Sequence, residues 1–192
     1  MNINELAQID LPIHDKPAIL LGVSVLVVVL AVILLRKKIK HGWLNLKTRY
    51  RLNRLGVKQI SNLQWPDGLG NYFTIDRLIM RHDGISLLAY KQYPGRIFCA
   101  DNIDDWTQMV DQKSFRFENP LYELDYQVKI LSSAMPGVPV NGYLFFDYQA
   151  EFPKGRPERV ISLDKIPEDL KRDKKIQVTD RVKSAWEQLV TR

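Results

Sequence analysis

Asp76 lies on one apolar run of this 192-residue chain, 72–80, and Lys91 directly follows the next, 85–90, the two runs being joined through Arg81-His82-Asp83-Gly84. Asp-Gly between apolar runs signals a hairpin, which sets the two runs side by side. An acid on one strand and a lysine closing the next is a layout suited to metal-dependent phosphodiester hydrolysis. Carboxylates hold Mg²⁺, and a further group activates or orients the attacking water. Residues two apart on a strand share a face, so position 89 points where Lys91 points. That chemistry wants an acid at 89, and the residue is Ala89. Structural readings stand beside this one: Asp76 could pair with Lys91 or Arg77 across the hairpin, and Lys91 could be an exposed strand-end lysine.

The elements that must position these residues follow from periodicity and punctuation. After the hairpin, Pro94-Gly95 turns the chain into a third run, 96–100, so three strands in meander order are expected. Asn119-Pro120 opens a helix, with Asn as N-cap and Pro at the first position, and Leu121, Leu124, Val128 and Leu131 form its inner stripe. Glu123 falls in its first turn, where acids are also enriched for dipole reasons alone. The apolar run 140–148 and the shorter run 159–163 read as strands. The segment 179–191 reads as a helix with Val182, Trp186 and Leu189 inward. Strands, helix, strands, helix is an α/β pattern with a mixed central sheet flanked by helices.

Residues 18–35, AILLGVSVLVVVLAVILL, contain no charge, Asn, Gln or Pro. Eighteen helical residues rise about 27 Å, close to the roughly 30 Å of a hydrocarbon core, and no polar stripe suggests a soluble core helix. The flanks set an orientation. Glu5, Asp10 and Asp15 precede the run, whereas Arg36, Lys37, Lys38 and Lys40 follow it. The positive-inside rule then places the N-terminus outside and the rest in the cytoplasm, which in a bacterium means a single-pass inner-membrane protein touching lipid through this helix. Between 36 and 60 there are nine Lys or Arg and no acid, while 61–192 holds 18 against 19 acids. The excess charge is therefore juxtamembrane, and the domain is near neutral. Trp43, Leu46, Tyr50 and Leu55 at near-helical spacing make 36–60 a basic amphipathic helix, with Gly56 a reasonable stop. The expected segments are a short extracytoplasmic N-terminus at 1–17, a transmembrane helix at 18–35, the basic helix at 36–60 and an α/β domain at 61–192.

Several chemistries find no support. One cysteine, Cys99 between Phe98 and Ala100, reads as a buried, inert thiol and cannot alone make a zinc site. His14, His41 and His82 are scattered, and no phosphate-binding glycine loop or nucleophile elbow is present. Asp101, Asp104 and Asp105 lack the spacing of a calcium loop.

Taken in order, IDRLIM, DGISLLAYKQYPGRI, Trp106, ENPLYEL and VPVNGYLFFDYQAEF resemble the motifs of the NERD (nuclease-related) domain, over roughly 73–170. The resemblance implies a fold like that of the PD-(D/E)xK nucleases and a role in DNA processing. It puts Asp76 on a metal-binding aspartate and Lys91 on the lysine that orients water. It puts Ala89 where that family has a metal-binding glutamate, and Glu123 where its helix motif has a glutamine. The family's upstream glutamate is missing, since no acid occurs between 36 and 66. Two accounts follow. Glu123 replaces the lost carboxylate, so that Asp76 and Glu123 hold Mg²⁺ beside Lys91; or the fold has kept its shape and lost its metal. The expected function is a membrane-anchored domain that acts on or binds nucleic acid, DNA being one candidate, as a degenerate metal-dependent nuclease. The alternative is an inactive membrane-tethered scaffold for a protein partner.

Overall fold

The computed structural model describes residues 16–173 and 175–191; the short N-terminus expected at 1–17 lies outside these, Lys16 and Pro17 apart. The chain divides into two units between Leu46 and Lys47. Helix α1, Lys16–Leu52, runs through the first unit and into the second. It is long and apolar enough to cross a membrane, with a window of mean hydropathy 2.5, and the side chains of Leu20–Leu35 are exposed wherever they are described. An apolar stretch with nothing packed on it suits a lipid solvent, where backbone groups must pair within the helix.

The helix stops at Leu52, short of Gly56. Gln59 takes over its end, donating from Nε2 to Leu52 O at 2.8 Å and to Leu55 O. Gly56 serves a different purpose: its φ is +57°, and a Cβ there would meet Met80 O at 2.5 Å. Only glycine lets the chain cross β2 so closely.

Two sheets follow. The larger has the order β1-β2-β3-β7-β9, from Lys58–Pro66, Tyr72–Met80, Ile85–Lys91, Val140–Phe146 and Val160–Ile161. The smaller has the order β6-β5-β4-β8, from Lys113–Glu118, Asp105–Val110, Gly95–Phe98 and Ala150–Glu151. The β2–β3 hairpin forms as expected, and β3 pairs with β7 in parallel. Mixed α/β architecture is therefore right, with three departures. First, 58–66 is the strand β1, so the last residues of the basic helix expected over 36–60 belong to the sheet. Burial of Trp65 against the sheet outweighs the helical spacing of the segment before it. Second, the meander breaks, because β4 leaves for the smaller sheet. Gly95, at φ +91° and with no room for a Cβ beside Met109 O, makes that turn against β5. Third, the β5–β6 hairpin had no turn signal; its two-residue loop uses Asp111 at φ +54° in place of glycine.

Helix α2, Pro120–Ala134, starts where the sequence places it and buries Leu121, Leu124 and Leu131 against the larger sheet. Gly142 on β7 admits it, since a Cβ would stand 2.6 Å from Val128 Cγ2 and 2.9 Å from Leu124 Cγ. Helix α3, Asp180–Val190, buries Val182, Trp186 and Leu189 in the same core. The other face of the sheet has a smaller core, where Leu52, Leu55 and Leu170 cover Ile79, Leu88, Phe145 and Ile161.

Candidate functional site

Asp76 sits where the larger sheet comes apart. The β2–β3 pairing ends at Arg77↔Leu88, and in the β1–β2 register Asn62 and Asp76 are skipped between Ser61↔Arg77 and Leu63↔Ile75. Asn62, opposite Asp76 in that register, is in the left-handed region at φ 55°. The outer half of β2 thus follows β1 alone. Tyr90 N–H would lose its cross-strand partner there, and the Asp76 carboxylate accepts it at 2.7 Å. The aspartate has a structural duty that its strand position alone did not reveal.

Lys91 ends β3, and Glu123 stands in the first turn of α2. The fold brings them into an ion pair, Nζ to Oε2 at 3.2 Å. Glu123 is held a second time: Gln127, one turn on and buried, donates from Nε2 to Oε1 at 3.4 Å. Asn119 fixes the position of that turn. It is 1% exposed, accepts Leu121 N–H at 3.0 Å, and donates to the carbonyls of Asp101 and Ile103 at 3.1 and 2.9 Å. Phe73 and Tyr126 meet beside this pair of elements, ring centroids 6.4 Å apart, and Tyr126 is 46% exposed.

Of the three residues singled out from sequence, the structure therefore couples Lys91 with Glu123 and engages Asp76 elsewhere. Among the described residues no ion pair joins Asp76 to Lys91 or Arg77. Gln127 was missed. Its signal was a polar residue inside the apolar stripe of α2, between Leu124 and Leu131. Asn62 carried no signal beyond its tolerance of the left-handed region.

A magnesium ion would have to draw its protein ligands from Asp76 and Glu123, and this donor set fits it poorly. Ala89 offers no side-chain oxygen, one carboxylate is paired with Lys91, and the other accepts a backbone N–H. Mg²⁺ demands near-ideal octahedral ligation and gives up water reluctantly, so two acids already engaged by a lysine and a backbone N–H make a weak cage. Among the described residues no group of three or more His, Cys, Asp or Glu is placed to hold a metal. The Asp101–Asp105 loop is structural as well: Asp104 accepts Tyr122 O–H at 3.0 Å and its carbonyl accepts Asn119 N–H at 2.7 Å. His82 accepts Asp173 N–H through Nε2. Burial pushes the Cys99 thiol up to about 11, which leaves it unreactive at neutral pH. Burial likewise raises Tyr90 above the ordinary tyrosine range, helped by the nearby charge of Asp147.

A family model described as nuclease-related domain, NERD, matches residues 41–147, a span that takes in β1 through β7 and every residue of this site. No curated protein and no solved structure matches the chain.

Proposed function

The chain belongs to the nuclease-related domain (NERD) family, and from that premise we propose that it binds nucleic acid through a nuclease-like fold without cutting it. The observation that carries this reading is the Lys91–Glu123 pair, since it consumes the two groups a cleavage site would need free. A lysine drawn to a carboxylate is a weaker partner for an attacking water, and a carboxylate drawn to a lysine attracts a cation less strongly. What remains is a strand end and a helix start flanked by the exposed rings of Tyr122 and Tyr126, on which unpaired bases can stack.

The test uses the full chain in phosphatidylcholine nanodiscs with labelled single-stranded and linear double-stranded DNA. Binding that weakens as salt rises, with no difference in cleavage between Mg²⁺ and EDTA, is the expected result. Cleavage that needs Mg²⁺ and disappears in Asp76→Asn overturns the non-catalytic half. Absence of salt-sensitive binding overturns the other half and favours a protein scaffold. The outward edge of β6, exposed along almost its whole length and including Phe115, supports that second reading, because an unpaired strand edge can accept a partner's strand.

The same proposal makes α1 a single inner-membrane span with the domain in the cytoplasm. Basic residues from Arg36 onward against acids before Lys16 support that orientation. A phosphatase reporter that is active only in the periplasm tests it: activity is expected when it is fused before Met1 and absent when it is fused after Arg192. The reverse pattern would invert the topology.

A further inference from the structure

Four arginines of the described chain are not fully exposed: Arg81 is buried, and Arg77, Arg156 and Arg159 are partly buried. Three are met by carboxylates, Arg81 by Asp169 and Asp83, Arg156 by Asp164, and Arg159 by Asp125. Arg77 is met by none. Its Nη1 donates to two neutral amide oxygens, Asn53 Oδ1 at 2.9 Å and Gln59 Oε1 at 2.6 Å. A charge removed from water without an opposing charge is costly, so the exception calls for a cause.

The surroundings make the deficit larger. Asn53 lies one helical turn after Arg49, its N–H bonded to Arg49 O at 2.9 Å, so the two side chains share a side of the chain and Arg49 projects toward the residue that holds Arg77. Arg49 is exposed and forms no ion pair among the described residues. Burial, and then the charge of Arg49, push Arg77 below the ordinary arginine range. No acid occurs in the sequence from 16 to 66. A negative pole lies at the C-terminal end of α1, and Gln59 links it to Arg77, donating to Leu52 O and to Leu55 O just beyond the helix. A helix end is equivalent to roughly half an elementary charge, which cannot balance two guanidinium groups.

We propose that Arg49 and Arg77 form a binding site for a phosphoryl oxyanion, separate from the cleft at Lys91 and Glu123. Guanidinium groups suit this ligand because their planar forks match two phosphate oxygens at once. Arg77 supplies a fixed fork, held in place by Asn53 and Gln59, and Arg49 supplies a second fork that closes from solvent. The phosphoryl group can come from a lipid headgroup or from phosphate in solution, and the experiment distinguishes these.

The full chain is placed in phosphatidylcholine nanodiscs, and its melting temperature is followed against inorganic phosphate with chloride adjusted to constant ionic strength. A saturable rise is expected in the wild type. Arg49→Ala, an exposed change that leaves the fold intact, shifts the half-saturating concentration upward about tenfold, the loss of one charge-assisted contact. Arg116→Ala, an exposed arginine on β6, does not. A second set of nanodiscs carries phosphatidic acid. If these stabilise the wild type, if added phosphate then gives nothing more, and if Arg49→Ala loses the gain, the ligand is a headgroup. If phosphate acts and phosphatidic acid does not, it is a soluble phosphate. The proposal is overturned if neither acts beyond chloride, or if Arg49→Ala and Arg116→Ala respond alike.

Discussion

Replacing Asn119 tests how the start of α2 is built and with it the placement of Glu123. Its oxygen caps the helix at Leu121 N–H, and its nitrogen closes the 101–103 loop through two good bonds to Asp101 O and Ile103 O. A third contact, to Ala100 O at 3.5 Å, is too long to count for much. Asn119→Ala removes the cap, worth about 1 kcal/mol, and leaves two carbonyls without their donor at about 1 kcal/mol each. The expected loss is therefore about 3 kcal/mol. For a domain of this size that lowers the melting temperature by roughly 6–12 °C. Asn119→Asp separates the two halves, since it keeps the cap acceptor and removes the donor. At neutral pH it sets a buried negative charge against carbonyl oxygens and should cost at least as much as alanine. Burial and those carbonyls raise the new carboxyl's folded pKa, so its deficit relative to the wild type shrinks as pH falls. The assay is thermal melting of the full chain at pH 5 and pH 7.5, read from tryptophan fluorescence. Trp106 is a suitable reporter because it is buried and its Nε1–H binds Ala100 O at 3.0 Å in the same loop. A loss under about 0.5 kcal/mol for alanine, or an Asn119→Asp variant as stable as wild type at pH 7.5, would refute the account.

Three further outcomes follow from named contacts. Glu123→Gln should leave stability within about 0.5 kcal/mol, because the pair is half open to solvent, yet strengthen DNA binding several-fold by releasing Lys91; fluorescence anisotropy at two salt concentrations reads this, and weaker binding would contradict it. Gly142→Ala should cost about 1–3 kcal/mol, since its Cβ would press α2 off β7 through Val128 and Leu124, and an unchanged melting temperature would show the contact to be soft. Cys99 should react with iodoacetamide at pH 8 about a hundredfold more slowly in the folded chain than in guanidinium, the ratio set by raising the thiol from 9.0 to about 11; equal rates by mass spectrometry would refute its burial.

What the sequence disclosed was governed by local rules. The Asp83-Gly84 hairpin, the Asn119-Pro120 helix start and the inner stripe of α3 are each written within a few residues, and the structure has them all. What it concealed depends on partners far along the chain. β1 is a strand because Trp65 and Ile60 pack on β2, and the helix-like spacing of Trp43, Leu46 and Tyr50 ends before it at Leu52. β4 joins a second sheet because Gly95 must pass Met109, a contact that no turn signal announces. The site divides in the same way. Lys91 and Glu123 were visible as residues, and their pairing was not, because it requires the helix start held by Asn119 to meet the end of β3. The duty of Asp76 was hidden because it answers a gap in a ladder, where β2 parts from β3 beyond Arg77 and Leu88.

That gap gives a way to tell a structural aspartate from a metal-binding one. In the structural role Asp76 needs only an acceptor oxygen 2.7 Å from Tyr90 N–H, and an asparagine side chain offers one of the same length and shape. Asp76→Asn should therefore cost well under about 1 kcal/mol, exchanging a charge-assisted bond for a neutral one. Asp76→Ala leaves the half-buried Tyr90 N–H unpaired and should cost about 1–3 kcal/mol, with faster amide exchange at Tyr90 than in the asparagine variant. A metal ligand behaves otherwise. Loss of the charge would abolish Mg²⁺-dependent stabilisation in both variants alike, whatever became of the N–H. Melting temperature measured with and without Mg²⁺ on the wild type and both variants thus reads two independent quantities. If Asn matches wild type in both conditions and Ala is lower in both, the aspartate is present to close the open ladder. If the wild type alone gains stability from Mg²⁺, Asp76 binds metal after all, and the reading of this cleft as a non-cutting site falls with it.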